Sequence, residues 1–156
     1  MMTLATLMRE ELAAVEELRQ LLQREYAALK ARDLASLEQT CQEKQACADR
    51  LRQLIADRLG YLREQGNAAD AQSWTASVAA LPATERVAMD KLRDELEQAA
   101  NQVRAQNTVN GAVIAASRNH VERTLALLRG RDSLDFLYDQ DTRKVFSGGN
   151  RPIAKA

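Results

Sequence analysis

Apolar residues recur along this chain with the period of an α-helix. From about Thr3 to Lys30, Met8, Val15, Leu22 and Leu29 stand seven residues apart, and Leu4, Leu12, Leu18 and Tyr26 widen the stripe. A face of that width is a helix-packing seam, and at ~1.5 Å per residue the helix is ~40 Å long. A second series, Leu34, Cys41, Ala48, Ile55 and Leu62, flanked by Leu37, Leu51 and Leu54, predicts a helix from about Leu34 to Gln65. Asp33 stands where its carboxylate can cap exposed backbone N–H groups, and Gly66-Asn67 supplies the stop. Neither Gly nor Pro separates the two series. A hairpin near Ala31–Asp33 is the preferred reading, because a free helix of that combined length would have to bury its stripe in a second chain. One continuous helix from Thr3 to Gln65 is the alternative.

The connection that follows holds a short helical candidate, Ala69 to Ala80, with Trp74 and Val78 one turn apart and able to cover the end of a core. Leu81-Pro82 ends it. A third long helix is predicted from about Glu85 to Arg129, with Thr84 as N-cap, Glu85 at the positive end of the dipole and Gly130 as the stop. One heptad series runs through Leu92, Ala99, Val113 and Leu127, and the next through Ala100, Asn107, Ile114, Val121 and Leu128. Asn110-Gly111 between apolar residues has the look of a β-hairpin turn. The apolar series stay in phase on both sides of it, so the helix reading is kept and Gly111 is expected to permit a kink or a close helix contact.

Polar residues interrupt these stripes. Lys44 falls in the series of Leu37 and Leu51, Glu25 in that of Leu4 and Leu18, and Asn107 and Asn110 in the third seam. Antiparallel helices turning near Arg32 and again near residue 75 bring all four to one level. The expectation is a buried or half-buried polar layer, Glu25 paired with Lys44 and the asparagines completing it. Such layers add little net stability and more often fix register. Acid–base chemistry would need a nucleophile, metal cluster or phosphate loop nearby, and none accompanies it.

Composition narrows the function. The chain has 156 residues, enough for one ordinary domain with a core. Lys+Arg and Asp+Glu both total 22, so no basic excess favours nucleic acid or an anionic membrane surface. Ala, Leu, Glu, Gln and Arg dominate and aromatics are 4%, a composition of long helices. No apolar run approaches the ~20 residues of a membrane span. Arg9, Glu10 and Glu11 break what would be the apolar core of a signal peptide. Cys41 and Cys47 are six residues apart, ~600° around a helix, which suits neither a shared metal nor a disulfide. Both read as small core residues in a reducing cytoplasm. The single histidine, His120, reads as a surface or partly buried residue and builds no triad or zinc site. Glu-x-x-His pairs of a metal-carrying bundle are absent, and neither cofactor nor catalytic activity is expected.

Both phenylalanines, Phe136 and Phe146, and one of three tyrosines, Tyr138, lie beyond Gly130. Ser133 can cap a short helix with Leu134, Leu137 and Tyr138 on one face, and Val145-Phe146 is a second apolar spot. Two readings follow. The tail is a short fourth helix folding back on the bundle, or it orders on a partner with Phe136, Tyr138 and Phe146 as anchors.

In their order, these features resemble the FlgN family of flagellar export chaperones. Leu18, Leu21, Leu22, Glu25, Ala28-Leu29 and Arg32-Asp33 carry the likeness in the first hairpin, and Leu37, Lys44, Leu51, Leu54 and Arg58 continue it. Asn107 and Asn110-Gly111 match the paired asparagines of the third helix, and Leu127-Leu128 and Leu137-Tyr138-Asp139 match the close of the pattern. Thr142 departs from it, standing where family members often place Gly, and the stretch from Val145 matches no family pattern. The resemblance implies a cytoplasmic bacterial chaperone of the flagellar type III export system. It implies binding to the two hook-filament junction proteins through the C-terminal region, and delivery to the export apparatus. The expected fold is an all-α antiparallel bundle, three long helices plus a short fourth element, with residues 1–130 as the bundle and 131–156 as a partner-binding tail. Leu128, Leu134, Phe136, Leu137, Tyr138, Val145 and Phe146 are the expected partner-binding residues. The alternative is a structural coiled-coil or adaptor subunit that pairs through its helices.

Overall fold

A computed structural model describes residues 2–66 and 71–129, without the side chains of 71–73. The described residues are all-helical: α1 (Leu4–Ala31), α2 (Leu34–Glu64), the short α3 (Ala71–Ala79) and α4 (Ala83–Leu128). The chain divides into two compact units, Met1–Gly111 and Ala112–Ala156.

A hairpin, not one continuous helix, joins α1 to α2. Arg32 takes the left-handed conformation (φ 54°, ψ 36°), which costs about 1 kcal/mol for a residue with a Cβ. The Asp33 N–H then donates back to the Ala28 carbonyl at 3.0 Å, the 6→1 bond of a Schellman closure. The Asp33 carboxylate starts the next helix, accepting from the Ser36 N–H at 3.1 Å and the Ser36 hydroxyl at 2.7 Å. Those two bonds hold the Asp33 carboxyl below its usual value. At the other end Thr3 caps α1 by accepting from the Thr6 N–H at 3.1 Å.

Within Met1–Gly111 the long helices run up, down and up. Glu25 meets Lys44, Ala14 meets Cys47, and Glu11 meets Arg58, so α1 and α2 are antiparallel. Met89 and Leu92 of α4 join Leu4 and Met8 of α1 in one cluster, while Asn110 reaches Leu22 and Glu25. The start of α4 therefore follows the direction of α1. Trp74 and Val78 of α3 and Leu62 of α2 close the same cluster.

Several expectations need correction. On α2 the residues turned inward are Leu37, Thr40, Lys44, Cys47, Leu51, Leu54, Arg58 and Leu62, buried or half-buried. The seam thus runs along the row of Leu37 and Lys44. Leu34 is 79% exposed and Cys41 is exposed. Only Cys47 is a core cysteine, its Sγ donating to the Ala14 carbonyl at 3.4 Å. Burial, and after it the Glu17 carboxylate, push the Cys47 thiol up from its usual value. Thr84 does not cap α4: the helix begins at Ala83, and the Arg86 N–H donates to the Pro82 carbonyl at 2.9 Å. Proline suits that entry because no N–H is needed there. Gly111 lies inside α4, and a Cβ on it would meet nothing within 4 Å, so no close helix contact requires it.

Candidate partner-binding surface

The apolar register of α4 changes along its length. Met89, Leu92, Leu96, Ala99, Val103, Gln106, Asn110 and Val113 alternate steps of three and four, and all are buried or half-buried. This is the seam of a helix packed against its neighbours. Continued, the same register gives Ser117, His120, Thr124 and Leu127, every one exposed. Apart from Leu127, the large apolar residues step one position on instead, to Ile114, Val121, Leu125 and Leu128, which are 46%, 53%, 42% and 78% exposed. Steps of seven, four and three keep those four on one helix face. Among the described residues of the Ala112–Ala156 unit, Ala126 alone is buried. Fully burying one such aliphatic side chain is worth about 1.5–3 kcal/mol, so the face is suited to a second apolar surface.

Of the expected partner-binding residues, Leu128 is part of this face. Leu134, Phe136, Leu137, Tyr138, Val145 and Phe146 lie outside the described residues. The sequence reading placed Ile114 and Val121 in a packing seam and passed over Leu125. The signal that singles them out is the one-position step after Val113, where polar Ser117, His120 and Thr124 take over the old register.

In the other unit, charge is buried deliberately. Glu25 is 2% exposed, and both its oxygens are held. Oε2 accepts from Lys44 Nζ at 2.8 Å and Oε1 from Asn110 Nδ2 at 2.9 Å. Asn110, 1% exposed, also donates to the Leu22 carbonyl at 2.8 Å, and its Oδ1 accepts from Gln106 Nε2 at 2.9 Å. Asn107 is exposed and joins none of these bonds, although it lies only ~60° round the helix from Asn110. Gln106 takes the place expected of it.

A second buried carboxylate escaped the sequence reading. Glu11 is 4% exposed and receives Arg58 Nε at 2.6 Å and Nη2 at 3.3 Å. Its position three after Met8 and four before Val15, inside the first stripe, was the available signal. No group of His, Cys, Asp and Glu among the described residues is arranged to hold a metal ion. None of the described helices is long and apolar enough to cross a membrane.

A family model described as FlgN protein matches residues 1–144 of the chain. No curated protein and no solved structure is significantly similar to it.

Proposed function

The chain belongs to the FlgN family of flagellar export chaperones, which are not enzymes, and from that premise we propose that it binds hook-filament junction proteins in the cytoplasm. It keeps them unassembled and helps deliver them to the type III export apparatus. The observation that carries the reading is the uncovered apolar face of Ile114, Val121, Leu125 and Leu128.

The physical logic is exchange of surface. Terminal helices that bundle in a filament expose apolar stripes while the subunit is free. A chaperone helix with an open stripe covers them by helix-in-groove packing. Release must remain possible, which favours a modest interface. In this reading residues 131–156 contribute to the partner-binding surface. Leu128, Leu134, Phe136, Leu137, Val145 and Phe146 supply apolar anchors, and Tyr138 contacts either the export gate or the substrate.

Calorimetry of the full chain, and of a version ending at Gly130, against purified hook-filament junction proteins from the same source tests this. Binding by the full chain with loss or strong weakening in the truncation is expected. Absence of binding by both overturns the reading. The stepped register of the exposed face also suits pairing with another helix of the same kind, the alternative of a structural coiled-coil subunit. A dimer that survives dilution, together with failure to bind junction proteins, would move that alternative to the front.

A further inference from the structure

A groove in the Met1–Gly111 unit has chemistry that the chaperone reading does not use. It has a volume of about 460 Å³, and α2 and α4 supply most of its lining. The half-buried Leu59 and Leu96 give it an apolar floor, with the buried Met8, Leu62 and Trp74 behind them. Around that floor stand three guanidinium groups, those of Arg58, Arg93 and Arg104.

The three arginines are engaged differently. Arg58 is fixed by its two bonds to the buried Glu11 carboxylate. Arg93 lies over the Trp74 ring at 5.6 Å from its centre and forms no ion pair among the described residues. Arg104 donates at 2.9 Å to the neutral Asn101 side chain, again with no carboxylate partner among the described residues. Arg93 and Arg104 are eleven residues apart on α4, so they share a face and stand ~16 Å apart along it. Glu97 lies between them at the groove.

We propose that this groove docks an amphipathic helix of a partner protein, laying aliphatic side chains on the half-buried Leu59 and Leu96 and bringing two carboxylates to Arg93 and Arg104. Charge complementarity selects the occupant. Guanidinium groups pair with carboxylates through paired N–H donors, and such pairs strengthen when an apolar surface beside them excludes water. The spacing of Arg93 and Arg104 asks for acidic residues about three turns apart on the incoming helix. Glu97 requires a neutral or basic residue between those two acids. The groove shares no residue with the Ile114–Leu128 face, so it serves a second contact.

The test uses the full chain and a fluorescein-labelled probe peptide of about 18 residues, enough for five helical turns. The probe is built from Leu, Ala and Gln with one leucine face and two glutamates spaced as Arg93 and Arg104 are. The control carries glutamine in place of both glutamates. Fluorescence anisotropy should show the acidic peptide binding about tenfold more tightly than the control, the preference shrinking as salt rises from about 50 to about 300 mM. Emission from Trp74, the one tryptophan, should shift on binding. In the Arg93→Gln, Arg104→Gln double variant the acidic peptide should fall to the level of the control, with thermal unfolding unchanged because both side chains are exposed. Equal binding of the two peptides overturns the proposal. So does no binding of either, or a preference that survives in the double variant.

Discussion

Between Met89 and Asn110, α4 keeps its seam inward: Met89, Leu92 and Ala99 are 3%, 7% and 2% exposed, and Val109, at 47%, is the large apolar residue of this stretch that faces out. Between Ala112 and Leu128 the same helix leaves Ile114, Val121, Leu125 and Leu128 at 42% exposure or more. Both stretches carry apolar residues at helical spacing, and no change of helix type separates them. They differ in what the stripe faces. In the first, α1 and the Leu4–Met8 cluster cover it, and burial becomes stability. In the second, no described side chain covers it, and on the proposed function the same burial is available to another molecule. Substitutions in the first stretch should therefore act on unfolding, and substitutions in the second on association.

The largest effect is expected where the bundle is densest. Leu22 is 2% exposed, and Leu22→Ala should lower the unfolding free energy by about 3 kcal/mol through lost transfer and a residual cavity. Urea unfolding followed by circular dichroism measures it. A midpoint that does not move would mean that α1 is not the centre of the bundle. Asn110→Ala comes next, at about 2 kcal/mol, because it strips one donor from the buried Glu25 carboxylate. Asn107→Ala is its control and should be close to neutral, since Asn107 is exposed.

How much of this was legible in the sequence follows from the same contrast. Period and capping chemistry carry the four helices and the Arg32–Asp33 turn, because those are local properties. The levelling of Glu25, Lys44 and Asn110 follows from helix lengths once the hairpin is granted. Harder to read was which side of a helix is covered. On α2 the inward row includes Thr40, Lys44 and Arg58, so a count of apolar residues alone favours the row that starts at Leu34 and Cys41; the structure leaves those two exposed, half-buries Ala48 and Ile55, and buries Leu62. Glu11 reads as surface until Arg58 is seen to meet it. Asn107 and Asn110 differ by three positions in sequence but by the whole difference between solvent and core. For the Ile114–Leu128 stripe, periodicity says only that it wants a cover, not whether the chain itself supplies one.

The comparison is broken most directly at that stripe. Combined Ile114→Ser, Val121→Ser and Leu125→Ser should leave unfolding within about 1.5 kcal/mol of the parent, about 0.5 kcal/mol for each exposed position. Binding to a junction protein should weaken about tenfold or more, because apolar anchors dominate such interfaces. A clear loss of stability with binding retained would mean that the chain covers this face itself. The burial proposed for a partner would then be spent in folding.

The smallest effect concerns the point where the two units divide. Gly111 closes the Met1–Gly111 unit, lies inside α4 and takes no positive φ. A methyl group there meets nothing within 4 Å, so no steric cost opposes the change. Alanine also removes backbone freedom from the unfolded chain, and Gly111→Ala should stabilise by about 0.5–1 kcal/mol. Gly60, inside α2 with equally open space around a Cβ, provides the control with the same expected sign. If both variants gain stability alike and partner binding is unchanged, the division at Gly111 reflects only where the covering helices stop. If Gly111→Ala gains stability but loses affinity while Gly60→Ala does not, bending at Gly111 is part of how the exposed stretch meets its partner. The two halves of α4 would then differ in stiffness as well as in what covers them.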